Sequence, residues 1–334
     1  MPYELPTDQR TERRARVGRW VGFTFAAILI ALIAYLGYVG YVGSEQLTNA
    51  PTRSADCRTP ATLGWSYEAI NYDIGADAVV EEQADPTNCT GVGARPPGDA
   101  LIASDGIRLA GWYIPAEAGI GPTGATVVLA HGWGSNRSTL LDRAAVLHDD
   151  YNVVLFDLRN HGQSLGSQTT QGVLEQLDLR AAIDWLEREK GPEAIAVLGV
   201  SMGGATAANE VEGDPRVDAL ILESTHATIA NATQARLDKA GYPLSLPASW
   251  AILLGGLVRT GLDISAADPI QSVASIGDRP LLLISAGADD TLGETDAFDM
   301  LAAAEGAAVT VTLEVCDGAG HAASPTVCAE DYRA

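Results

Sequence analysis

The chain opens with an uncharged run and then settles into short apolar bursts separated by polar, periodic segments. Trp20 to Gly43 carries no charged side chain. At 1.5 Å per residue these 24 residues would span about 36 Å as a helix, against roughly 30 Å of bilayer hydrocarbon. After a polar stretch at 44–63, segments 65–73 and 106–114 alternate like half-buried strands. The Asp-, Gly- and Pro-rich residues between them read as a surface loop. Continuous apolar runs follow at 126–130, 152–158, 194–200, 217–224, 280–287 and 309–315. Such runs fit strands buried on both faces. Helical patterns lie between them, at 137–149, at 172–190 and directly after residue 201. Alternation of this kind predicts an α/β fold, a mostly parallel central sheet with helices on both faces. Residues 225–279 interrupt it with a helical pattern that includes the apolar WAILLGGLV at 250–258. Nine residues cannot span a bilayer, so this region is expected to be a small cap over the sheet, with a second membrane contact as the alternative.

The expected organisation is a tail at 1–19, a transmembrane helix at 20–43, a linker at 44–63, and one domain at 64–334 with its cap at about 225–279. Trp20 at one end of the run, and Tyr35, Tyr38 and Tyr41 toward the other, are placed as interfacial aromatics are. Five arginines precede the run, and Glu45 is the first charge after it. The positive-inside rule then puts the N-terminus in the cytoplasm and the body outside, a single-pass cell-membrane protein. A cleaved signal peptide is the alternative, but its apolar core is normally shorter. The net charge is −22, and the first 19 residues carry +2, so the remainder carries −24. A body this acidic repels phosphate backbones, which excludes nucleic acid as a partner. All four cysteines follow the run, where disulfides persist. Pairing neighbours in sequence gives Cys57–Cys89 and Cys316–Cys328. Their spacings match no zinc signature, and neither a metal nor an organic cofactor is expected.

The chemistry centres on GVSMGG at 199–204. Ser201 follows a buried strand and opens a helix, so a sharp turn presents its hydroxyl while helix N–H groups face developing negative charge. A serine nucleophile needs a base, and the base needs an acid behind it. Of five histidines, His321 follows the last strand and is the expected base. His226, at the start of the cap, is its main rival. His131 and His161 read as loop-shaping residues, and His148, near a helix end, as exposed. The acid should follow the strand at 280–287, where Asp289 and Asp290 both qualify. Asp290 is preferred because it lies three residues beyond Gly287 and precedes TLG. HGWG at 131–134 lets the backbone approach a ligand closely. The N–H groups of Trp133 and Met202 are the expected oxyanion hole.

DGIRLAGWYIP (105–115), HGWG, FDLRNHGQS (156–164), GVSMGG, the Asp289–Asp290 turn and GAGH (318–321) together resemble one family. It is the serine-aminopeptidase and prolyl-oligopeptidase-like branch of the α/β-hydrolases, especially its membrane-anchored bacterial members. The resemblance covers about 64–321 and implies an α/β-hydrolase fold with a Ser-Asp-His triad. Two departures stand out. Asn160 occupies a position that is usually glycine, and AASPTVCAEDYRA is too short and polar for the final amphipathic helix of relatives. A Cys316–Cys328 bond could substitute for part of that helix. The reading is a membrane-anchored serine hydrolase acting through an acyl-enzyme on an ester, with activity falling on acidification as His321 protonates. Its substrate would be a small-molecule ester, a lipid or a peptide. Peptidase activity and a non-catalytic binding protein are the alternatives, and the intact set of three residues weighs against the latter.

Overall fold

The computed structural model describes residues 7–49, 58–70, 101–293 and 295–333. The expected Cys57–Cys89 pair, and most of the loop expected between the first two strand segments, lie outside them. The chain begins with one continuous helix, α1 (Thr7–Thr48). Among the described residues, its Arg14–Thr48 portion is the one single helix long and apolar enough to cross a membrane, and only 11% of its most apolar window is buried. The helix does not stop at Gly43. It continues to Thr48, with Ser44, Leu47 and Thr48 buried, so the first turn of the expected linker is an extension of the helix packed on the body.

The body is a mostly parallel sheet. Its strands are β1 (Glu68–Ile70), β4 (Gly111–Ile114), β5 (Thr126–Ala130), β6 (Asn152–Phe156), β7 (Ile195–Val200), β8 (Ala219–Glu223), β9 (Leu281–Ala286) and β10 (Val311–Cys316). Their spatial order is β1-β4-β6-β5-β7-β8-β9-β10. β1 and β4 run antiparallel at one edge, and every pairing from β6 to β10 is parallel. The strand expected over 106–114 is broken. β3 (Arg108–Leu109) pairs with β2 (Leu101–Ile102) in a separate hairpin, while the Ala110 N–H is taken by Ser164 Oγ at 3.0 Å.

The continuous apolar runs are explained by burial on both faces. Val128, Ala130, Val154, Phe156 and Val197 face one core. Val127, Leu129, Val153, Leu155 and Leu198 face another. Helices α3 (Glu175–Glu189), α4 (Met202–Gly213) and α8 (Asp296–Gly306) contribute Leu179, Trp185, Ala208 and Met300 to the first. α2 (Leu141–Leu147) contributes Leu141 and Ala144 to the second. Each large side chain so buried stabilises the fold by about 1.5–3 kcal/mol.

The cap is formed by α5 (Ile229–Lys239), α6 (Ser245–Thr260) and α7 (Pro269–Val273). It shares a third apolar cluster with α1, where Val39 and Leu47 meet Ile229, Leu237, Ile252 and Leu253. α1 and α6 touch backbone to backbone. A Cβ on Gly40 would stand 2.8 Å from the Ala251 carbonyl oxygen, and one on Gly255 would stand 2.7 Å from that of Gly40. Small residues permit this approach.

Candidate active site

Ser201 sits between β7 and α4 with φ 56° and ψ −118°, a conformation few non-glycine residues adopt. Three glycines make that turn possible. A Cβ on Gly199 would lie 2.3 Å from the Gly203 carbonyl oxygen, and one on Gly203 would lie 2.2 Å from that of Ala130. One on Gly204 would collide with Thr225 Oγ1. The turn is pinned by the Ser201 N–H, which donates to the Glu223 carbonyl at 2.9 Å.

His321 reaches the serine. Its Nε2 lies 3.0 Å from Ser201 Oγ and its Nδ1 lies 2.8 Å from Asp289 Oδ2. A carboxylate can only accept here, so the tautomer carries its proton on Nδ1 and leaves Nε2 to accept from the serine hydroxyl. Asp289, not the expected Asp290, is thus the carboxylate bonded to His321. Asp289 also accepts the Thr291 and Leu292 N–H groups at 2.8 and 3.0 Å. Burial pushes its carboxyl up, but the His321 contact and these N–H donors outweigh burial and hold it below its ordinary value. Asp290 is exposed and takes only a 3.2 Å contact from the Thr291 hydroxyl. The turn decides this. Ala288 N–H is bound to the Ala319 carbonyl at 2.8 Å and Asp289 N–H to that of Ala286 at 3.2 Å, so residue 289 faces the His321 loop while its neighbour is exposed at the cavity wall.

The other histidines separate by environment. His131 donates from Nδ1 to the Gly132 carbonyl and accepts the Leu158 N–H at Nε2. His161 likewise bridges the Arg159 carbonyl and the Gly134 N–H. They shape the two loops, and burial first, then each other's proximity, drives His131 down to about 4. His226 is buried, forms no hydrogen bond with Ser201, and is pushed down to about 3 by burial and then by the charges of Arg236 and His321. His148 is not exposed. It is buried against Trp65, with ring centroids 4.1 Å apart.

The loop bearing His321 is held on several sides. A Cys316–Cys328 disulfide closes it. The Ala322 N–H donates to Ser224 Oγ at 3.1 Å, and the Ala322 carbonyl accepts from Arg143 at 2.7 Å. Arg143 in turn forms a buried two-pronged pair with Glu223, at 2.8 and 2.7 Å, and Tyr332 Oη donates to the same carboxylate at 2.9 Å.

Ser201 and His321 open into a cavity of about 1080 Å³. Gly132 and Trp133 line it, and a Cβ on Gly132 would lie 3.2 Å from that of Ser201. Met202 is the first residue of α4. Two walls were not foreseen from sequence. One is the end of α1, through Tyr38, Val39, Val42 and Leu47; the other is Arg236 of α5. The small residues Gly40, Gly43 and Ser44 were a legible sign that the first helix packs closely on another. Glu117, His148 and Asp149 bring ligand-type atoms within 4.8 Å of one another. They precede β6, at the opposite end of the parallel sheet from Ser201.

Comparison with known proteins agrees with this architecture. Residues 125–253 match the family model described as the alpha/beta hydrolase fold. The chain is 33% identical over 220 residues to the uncharacterised Rv2307c of Mycobacterium tuberculosis H37Rv, covering 65% of this chain and 69% of that one. It is 30% identical over 198 residues to the uncharacterised YfhR of Escherichia coli K12, covering 58% and 62% respectively. A structure of the Pyrococcus furiosus esterase Pf2001 superposes with a TM-score of 0.63 at 22% identity, covering 86% of this chain and 94% of that one. The chain belongs to the α/β-hydrolase fold family.

Proposed function

We propose that this protein is a membrane-anchored serine hydrolase that cleaves esters through an acyl-enzyme. The observation that carries the reading is the unbroken Ser201–His321–Asp289 relay, with Ser201 on a strained turn at the floor of a large cavity. His321 Nε2 accepts the hydroxyl proton as Ser201 Oγ bonds to the ester carbonyl carbon. The resulting oxyanion lies at the Trp133 and Met202 N–H groups, where each donor contributes about 10²–10³ in turnover. Collapse expels the alcohol, which takes the proton from His321. Water then attacks the acyl-enzyme with His321 again as base, and the acid leaves. Asp289 holds the tautomer and offsets the positive charge on His321.

The apolar α1 is read as an uncleaved anchor, with five arginines on the cytoplasmic side and the body outside. Apolar side chains of α1 in the cavity wall favour an ester with a hydrocarbon part over a peptide. The test is labelling of full-length protein with a fluorophosphonate probe beside Ser201→Ala. Wild type is expected to label and the variant to stay blank. A folded wild-type protein that does not label would overturn the reading.

A further inference from the structure

The cap helix α6 carries an apolar ridge that no described residue covers. Leu246, Trp250, Leu254 and Val258 are spaced four apart on one face, and are 53%, 58%, 61% and 79% exposed. Isolated exposed apolar residues are ordinary, but a continuous stripe of them is not. The chain carries −22 overall, yet α6 holds no acidic residue and one charge, Arg259.

The position of α6 against α1 says what could cover that ridge. Tyr35 Oη donates to the Pro243 carbonyl at 2.5 Å. Gly40 meets Ala251, Gly43 meets Ile252, and Ser44 meets Gly255. Arg259 bonds Ser44 Oγ at 2.9 Å and pairs with Glu45. Residue numbers rise together, so the helices run in the same direction. If hydrocarbon begins at Trp20, about 30 Å of it ends near residue 40 at 1.5 Å per residue. The start of α6, with Leu246 and Trp250, therefore lies beside Tyr35–Gly40, at the depth of the outer leaflet. Arg259 lies at headgroup level.

The cavity extends the same argument. Tyr38, Val39 and Val42, from the last turns of the span, line it together with Ser201 and His321. Of the basic side chains in its wall, Arg58 pairs with Asp142 at 2.7 Å, Arg143 pairs with Glu223, and Lys239 bonds the Asp289 and Leu292 carbonyls, while the Asp290 carboxylate lines the same wall. Arg236 makes no hydrogen bond or ion pair with any described residue, although burial disfavours its charge and only the Asp289 carboxylate draws it back. A guanidinium held this way suits a phosphate group.

We propose that α6 lies in the same leaflet as the end of α1, and that the substrate is a lipid ester with an anionic phosphate headgroup. It reaches Ser201 laterally from that leaflet, its acyl chain along α1 and its headgroup on Arg236. This rests on the serine-hydrolase reading for its chemistry, but not for the placement of α6.

The experiment uses full-length protein in vesicles of phosphatidylglycerol and phosphatidylcholine. Lipids brominated in the upper acyl chain are expected to quench tryptophan emission more in wild type than in Trp250→Phe. Equal quenching would overturn the placement. Leu246→Asp with Leu254→Asp is expected to slow fatty-acid release from vesicles by about tenfold or more, the effect of about 1.4 kcal/mol, while hydrolysis of a soluble short-chain ester stays within about twofold of wild type. Equal loss on both substrates would overturn delivery from the leaflet. Arg236→Gln is expected to abolish a preference for phosphatidylglycerol over diacylglycerol carried in the same vesicles, since only the former bears a phosphate. An unchanged preference would overturn the headgroup assignment. Failure of wild type to label with fluorophosphonate would instead sink the hydrolase reading, and the quenching result would still decide where α6 lies.

Discussion

At the residue scale, Asp289 and Asp290 are chemically identical and adjacent, and a turn separates their roles. Asp289 accepts from His321 and from two backbone N–H groups, while Asp290 is exposed at the cavity wall without a bond to His321. Asp289→Asn should lower turnover by about 10⁴-fold, because the amide favours the wrong tautomer of the base. Asp290→Asn should leave turnover within a few-fold. Steady-state kinetics on a soluble ester separates the two, and the reverse ranking would overturn the assignment. Asn160 shows the same dependence on backbone conformation. Its φ is 61°, the left-handed region. Asparagine tolerates that region better than other non-glycine residues, so it can hold this turn where glycine was expected.

At the element scale, the His321 loop is held by its supports rather than by its own sequence. The disulfide closes a 12-residue separation, and a loop of that size is worth about 3 kcal/mol. Cys316→Ser should therefore lower stability by about that amount in urea denaturation, and should lower activity by loosening His321. A variant with unchanged stability and activity would refute the support role. The buried Arg143–Glu223 pair is the second support. Arg143→Leu strands a buried carboxylate and should cost about 3–5 kcal/mol, measured the same way. The α1–α6 contact is an element-scale feature too. Gly255→Leu would place its side chain against the Gly40 carbonyl and Ser44, prising the first helix from the cap. Loss of activity on vesicles with retained activity on a short-chain ester is the expected outcome.

At the scale of the whole molecule, buried neutral histidines couple folding to pH. Burial drives His131 down to about 4 and His226 down to about 3. Unfolded histidine titrates near 6.5. Between these values the unfolded chain binds protons that the folded chain refuses, so stability is lost as pH falls. At pH 5 each such histidine removes about 2 kcal/mol relative to neutral pH. Urea midpoints for wild type and His226→Asn at pH 7 and pH 5 isolate one of them. The variant should lose less stability on acidification than wild type, and parallel losses would contradict the burial argument.

The local patterns were enough to specify the α/β sheet, the helix–strand alternation, the apolar first helix and the serine turn. Each depends on near neighbours in the chain: continuous apolar runs demand burial on both faces, and GVSMGG demands a turn that only glycines permit. The positions of Ser201, directly after β7, and of His321, in the loop after β10, were legible from the strand pattern. What long-range packing decided was not legible. The choice of Asp289 over Asp290 follows from hydrogen bonds to Ala286 and Ala319. His148 is buried because Trp65, distant in sequence, covers it. The break at Ala110 comes from Ser164, 54 residues away. The continuation of α1 into the cavity wall, beside a cap roughly 200 residues further along, required two helices to meet in space. A one-dimensional pattern records which faces are apolar, but only the folded chain determines what each face meets.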